Sequence, residues 1–191
     1  METDLHSCIS GSKRLISIAG VLIGFFAISI SPLVLAAYPD KPIKVIVPFA
    51  PGGGTDLVAR TIALTMTEEM RQSVIIDNKP GGSTVVGTDA LAKSAPDGYT
   101  LVVATLAHSV NPSLKAKLPY SQDKDFAPVI LVGVSPNVVV VSANSPYKTF
   151  PEFLAAAKAN PGKLSYASQG GGTSAHLAGE LFNSLANTKL T

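Results

Sequence analysis

Ile43-Lys44-Val45-Ile46-Val47-Pro48-Phe49-Ala50-Pro51-Gly52-Gly53-Gly54-Thr55-Asp56 is the stretch that decides the fold. Ile43 to Phe49 is an apolar, β-branched run broken by Lys44 and closed by Pro48, the profile of a buried strand. Glycines follow, and from Thr55 to Met70 the apolar positions Ala59, Ile62, Ala63, Met66 and Met70 recur at helical spacing, with Thr55 or Asp56 as the cap. Gly52-Gly53-Gly54-Thr55 returns as Gly170-Gly171-Gly172-Thr173, again between a strand-like and a helix-like stretch. Glycine lets backbone N–H groups approach a ligand closely, and the first turn of a helix adds unpaired donors with partial positive charge. Two such turns are expected to grip an anion from opposite sides.

Outward from this unit the pattern repeats. Val74 to Ile76 reads as a short strand, Asn78 to Thr84 as a turn, Val85 to Lys93 as a helix ended by Ala95-Pro96-Asp97-Gly98, and Leu101 to Ala104 as a third strand. Alternating strands and helices with short links predict a doubly wound α/β layer with parallel strands. From Thr105 the texture changes to a long irregular crossing, followed by candidate strands at Val129 to Val134 and Val138 to Val141. Thr149-Phe150-Pro151-Glu152 is a capping box, and its helix stops at Asn160-Pro161-Gly162. Leu164 to Ser168 is then a strand and Ser174 to Ala186 a helix. The sequence ends at Thr191 with few strands in this second lobe, so that lobe is expected to be incomplete.

The chain has 191 residues, a net charge of +2, 46% hydrophobic and 15% charged residues. The apolar excess lies at the N-terminus, where Lys13 and Arg14 precede an apolar run from Leu15 to Ile30 and a small-residue stretch, Val34-Leu35-Ala36-Ala37. This reads as a secretory signal peptide over residues 1–37, cleaved at Ala36 or Ala37, in preference to a retained anchor. Cys8, the only cysteine, precedes the apolar run, so the mature chain is expected to lack disulfides and thiolate chemistry. Scattered basic residues and the absence of Trp give no footprint for nucleic acid.

No GxxxxGK[ST], GxGxxG, GxSxG or HExxH pattern is present, nor a carboxylate cluster with metal spacing, so no cofactor, metal or catalytic set is expected. Asp56 is either a helix cap or an acceptor for a ligand ammonium, hydroxyl or bound water. Thr55, Ser83, Thr84, Thr173 and Ser174 share that ambiguity. His108 and His176 are discounted as catalysts: His176 diverges from Ser174 in its helix, and no acidic partner stands beside His108 in the sequence.

Pro48-Phe49-Ala50-Pro51-Gly52-Gly53-Gly54-Thr55-Asp56 with Ala59-Arg60 resembles the opening motif of the substrate-binding receptors of tripartite tricarboxylate transporters, the Bug receptors. Asp77 to Gly82, Pro96 to Leu101, Asn111-Pro112, Leu118-Pro119-Tyr120, Asp125 to Val129, Pro161 to Ser168 and His176 to Phe182 extend the resemblance along the mature chain. It implies a periplasmic-binding-protein-like (type II) two-lobed α/β fold, with residues 38–135 as the first ligand-binding lobe and 136–191 as a partial second one. It further implies a periplasmic receptor, not an enzyme, that closes on a small carboxylate (a di- or tricarboxylate, acidic amino acid or aromatic acid) and delivers it to a membrane permease.

Carried onto this chain, the binding loops are Pro51 to Asp56, with Gly53, Gly54, Thr55 and Asp56; Gly81 to Thr84, with Gly82, Ser83 and Thr84; Thr105 to Ser109, with Thr105 and His108; and Ser168 to Ser174, with Ser168, Gly171, Gly172, Thr173 and Ser174. Gly82-Ser83-Thr84-Val85 stands where the family more often has another glycine and an aliphatic residue, and Thr105-Leu106-Ala107-His108 replaces a commoner glycine-bearing run. Two alternatives share these features: a ligand-sensing module for a membrane sensor kinase, and a truncated, non-functional fragment. Gene neighbourhood separates the first and the reading frame beyond Thr191 the second.

Overall fold

β1 (Ile43–Val47) is the middle strand of a three-stranded parallel sheet of order β2-β1-β3, with β2 at Val74–Asn78 and β3 at Thr100–Val102. Every β1 side chain except Lys44 is buried, so both faces of the strand are covered, as its near-continuous β-branched run demands. Ile43 pairs with Val74 and Val47 with Asn78 on one side, while Lys44 pairs with Thr100 and Ile46 with Val102 on the other. Pairing continues past the strand ends, where the N–H groups of Lys79 and Val103 donate to the carbonyls of Val47 and Ile46 at 2.8 and 2.9 Å. This is a computed structural model, and it describes residues 38–191; the signal peptide read over 1–37 and Cys8 lie outside the described residues.

The chain leaves β1 through α1 (Gly54–Met70) to β2, then through α2 (Val85–Ala92) to β3 on the far side of β1. Parallel crossovers are right-handed, so this reversal of direction puts α1 and α2 on opposite faces of the sheet. The carboxyl ends of β1 and β3 then flank the point where the strand order reverses, the place where open α/β sheets present their loops to ligands. α1 meets the sheet through Ala59 and Ala63, both buried. α2 approaches more closely still: a Cβ on Gly87 would lie 2.8 Å from Cβ of Pro48 and 3.0 Å from the Lys79 carbonyl oxygen, so only glycine fits.

Three further helices follow: α3 (Leu106–Leu114), α4 (Phe150–Ala159) and α5 (Ser174–Ala186). α4 begins with the expected capping box, Thr149 Oγ1 accepting from Glu152 N–H while the Glu152 carboxylate accepts from Thr149 N–H. Phe150 and Phe153 of α4 meet Phe182 of α5 with ring centroids 6.2 and 6.0 Å apart. None of the described helices is long and apolar enough to cross a membrane.

Three expectations are corrected. The crossing after Thr105 is not wholly irregular, because it contains α3, in which Pro112 sits within the last turn and gives up one backbone bond; Asn111, tied by its side chain to a neighbouring turn, holds the helix there. The runs 129–134 and 138–141 are not strands, and their side chains are exposed, Val134 by 89% and Val140 by 80%. β propensity becomes a strand only against a partner that takes its N–H and C=O groups, and none stands there among the described residues. Leu164 to Ser168 is likewise no strand, although Thr191 N–H donates to the Leu164 carbonyl and Tyr166 N–H to the Thr191 carbonyl.

Candidate functional site

Asp56 organises the first glycine turn. Its carboxylate is buried and accepts from Gly52 N–H, Arg60 Nε and Asn78 Nδ2, each at 2.9 Å. Asn78 Nδ2 also donates to the Phe49 carbonyl at 3.1 Å, and Arg60 Nη2 donates to Asn78 Oδ1. The Arg60 hydrogen bond first, then those from Gly52 and Asn78, hold the Asp56 carboxyl far below the usual carboxylate range. Neither of the readings offered by sequence describes this geometry: the N-cap of α1 is Gly53, with no side-chain cap, and both Asp56 oxygens are occupied by groups of the chain itself.

The turn between β2 and α2 is strained. Gly81, Gly82, Ser83 and Thr84 all have positive φ, with Ser83 at 57° and the β-branched Thr84 at 75°. Asn111 of α3, fully buried, reaches back to this turn, and its Nδ2 donates to the Ser83 carbonyl at 2.9 Å and to Thr84 Oγ1 at 3.3 Å. Its Oδ1 is buried and has no hydrogen-bond partner among the described residues. One turn on, Lys115 is half-buried and forms no salt bridge among the described residues.

The second glycine turn faces this group from the other side. Gly172 has φ +79°, a conformation that strains any side chain, and a Cβ there would stand 3.0 Å from Cδ1 of the exposed Leu114. Gly172 N–H donates to His176 Nδ1 at 3.3 Å. With Nδ1 accepting, Nε2 is the ring nitrogen left to donate. Thr173 caps α5 by accepting from His176 N–H, and its hydroxyl donates to the Gly170 carbonyl at 2.7 Å. Between the two walls lies a cleft of about 280 Å³, lined by Ser83, Asn111, Leu114, Lys115, Gly171, Gly172 and His176.

Of the residues expected from sequence, Ser83, Gly171 and Gly172 line this cleft. Gly53, Gly54, Thr55 and Asp56 stand at the β1–α1 turn, outside its lining, so the two GGGT copies do not face one another across it. Thr84 is buried beneath Asn111, and Gly82 precedes Ser83 in the strained turn. Thr105 is the N-cap residue of α3. His108 packs edge-on against Phe126, centroids 5.0 Å apart, and stacks near Tyr120; burial lowers its pKa and favours the neutral ring. Ser168 Oγ accepts from Gly170 N–H at 3.3 Å, and Ser174 Oγ donates to Asn137 Oδ1 at 3.3 Å.

Asn111, Leu114, Lys115 and His176 are lining residues that sequence reasoning did not select. Asn111-Pro112 was visible as a pair, but its reach to Ser83 spans 28 positions and leaves no local signal. A cleft with one ammonium, one hydroxyl, an imidazole and backbone turns can hold a small anion by charge and hydrogen bonds. Among the described residues no group of His, Cys, Asp and Glu is placed to hold a metal ion.

Comparison with known proteins gives a consistent result. The model of the family described as "Tripartite tricarboxylate transporter family receptor" matches residues 58–191. A UPF0065 protein from the tcbD-tcbE intergenic region of Pseudomonas sp. is 39% identical over 180 residues, covering 94% of this chain and 53% of that protein. BugT of Bordetella pertussis is 39% identical over 171 residues, covering 88% and 52%. Among solved structures, a protein of R. palustris with adipate superposes with a TM-score of 0.78 at 32% identity, covering 81% of this chain and 52% of that one. MatC from Rhodopseudomonas palustris with bound malate gives 0.74 at 34% identity, covering 81% and 53%. The chain spans about half the length of the curated relatives it matches.

Proposed function

Because the chain belongs to the tripartite tricarboxylate transporter receptor family, we propose that it is an extracytoplasmic solute-binding receptor that captures a small carboxylate and hands it to a tripartite tricarboxylate-type permease. The observation that carries this reading is the cleft, whose lining brings Lys115, which forms no salt bridge among the described residues, together with Ser83, His176 and the glycine turn at Gly171 and Gly172. A dicarboxylate of the size seen in the malate and adipate complexes of the two R. palustris proteins suits such a set of donors. In this reading residues 38–135 form the first lobe, 136–191 contribute part of the second, and the protein works in the periplasm. In the same reading Asp56 shapes the first turn, and Gly53, Gly54 and Thr55 belong to the ligand-facing loop. Recognition is the whole of the task, with no bond made or broken.

Isothermal titration of the chain with malate, succinate, adipate, citrate, glutamate and benzoate tests the proposal. At least one is expected to bind, and Lys115→Met to weaken it about tenfold to a hundredfold, the worth of a hydrogen bond to a charged group. Silence across the panel from folded protein, or unchanged affinity in Lys115→Met, refutes the role assigned to this cleft.

A further inference from the structure

We infer that Asn111 is a positioning residue: it holds the β2–α2 turn in its left-handed form and so keeps Ser83 on the wall of the cleft. Two adjacent non-glycine residues with positive φ persist only where their surroundings over-determine them. Backbone bonds from Val86 N–H to the Gly81 carbonyl and from Thr88 N–H to the Thr84 carbonyl close the turn, and among the described residues the side chain that bonds to it is that of Asn111. The Asn111 amide donates to the carbonyl of Ser83 and to the hydroxyl of Thr84, thus to both strained residues, from a helix 28 positions away. The same side chain backs the opposite wall, because its Oδ1 stands 3.8 Å from the place a Cβ on Gly172 would occupy, while a Cβ on Gly171 would lie 3.9 Å from Ser83 Oγ. Asn111, completely buried, therefore lies between the strained turn and the second glycine turn and sets their spacing.

That the spaced walls hold a carboxylate rests on the function proposed above; that Asn111 fixes the turn does not. The experiment separates the two. In Asn111→Ala, and in Asn111→Leu, which keeps much of the shape but has no donor, the NMR Cα and Cβ shifts of Ser83 and Thr84 are expected to leave the left-handed range. Affinity for malate, or for whichever carboxylate of the panel binds, is expected to fall about tenfold, the worth of one or two neutral hydrogen bonds. Should Asn111→Ala not fold, Asn111→Leu carries the test, and Thr84→Ala, which removes only the weaker bond, is expected to shift Ser83 less. Retention of left-handed shifts at Ser83 and Thr84 in a folded Asn111→Leu protein overturns the inference. Shifts that change while carboxylate affinity does not leave Asn111's hold on the turn intact and overturn its role in binding.

Discussion

Replacing Gly87 by Ala tests how tightly the fold is wedged around the first turn. In most helices this exchange stabilises by about 1 kcal/mol, through backbone entropy and helix propensity. Here the new methyl would lie 2.8 Å from Pro48 Cβ, 3.1 Å from Pro48 Cα and 3.0 Å from the Lys79 carbonyl oxygen. Carbon atoms prefer about 3.5–4.0 Å, and neither a proline ring nor a backbone carbonyl swings aside as a flexible side chain does. The overpacking cost therefore falls in the upper part of the usual range of about 1–3 kcal/mol, for a net destabilisation of about 1–2 kcal/mol after the propensity gain. For a chain of this size that lowers Tm by about 2–8 °C. Gly54→Ala is the matched control, because nothing lies within 4 Å of its added methyl; its Tm is expected to hold or rise. Thermal unfolding followed by circular dichroism decides the matter: if Gly87→Ala holds or rises with Gly54→Ala, α2 is not wedged against Pro48 and the register of that layer is misread.

Other outcomes follow from the same geometry. Asp56 has its pKa lowered on folding, first by Arg60 and then by Gly52 and Asn78, so its contribution to stability is present above the unfolded value near pH 4 and is lost as pH falls toward the folded one; Asp56→Asn should flatten that acid limb in urea titrations from pH 5 to 2, and an unchanged limb counts against the network. Thr149→Ala removes the acceptor of the capping box on α4 and should cost about 1 kcal/mol, with fraying at Phe150 to Glu152 visible by hydrogen exchange.

What sequence disclosed were features that neighbouring residues settle among themselves. The β1 run, the glycine turn and α1 lie consecutively, and Thr149 and Glu152 are three positions apart, so periodicity and capping chemistry place them without reference to the rest of the chain. α3 escaped notice because Asn111-Pro112 looks like a break locally, and only the tie from Asn111 to Ser83 shows why a helix persists across it. The runs 129–134 and 138–141 misled for the opposite reason, since their β-branched composition is a strand's, while pairing depends on a partner elsewhere. The cleft was half legible. Glycine turns announce themselves, but the identity of the side chains opposite them is settled by how α3 docks.

Nine exposed aliphatic residues between 129 and 141, Val129 to Val132, Val134 and Val138 to Val141, also govern how this protein behaves as a material. Their backbone is unpaired, their side chains are adhesive, and β2 and β3 are open sheet edges among the described residues. Encounters between such segments grow with the square of concentration, whereas folding does not, so dilution favours the dispersed chain and accumulation favours insoluble β-rich assemblies. Pro128, Gly133 and Pro136 interrupt the stretch as natural gatekeepers, keeping its uninterrupted runs to four residues.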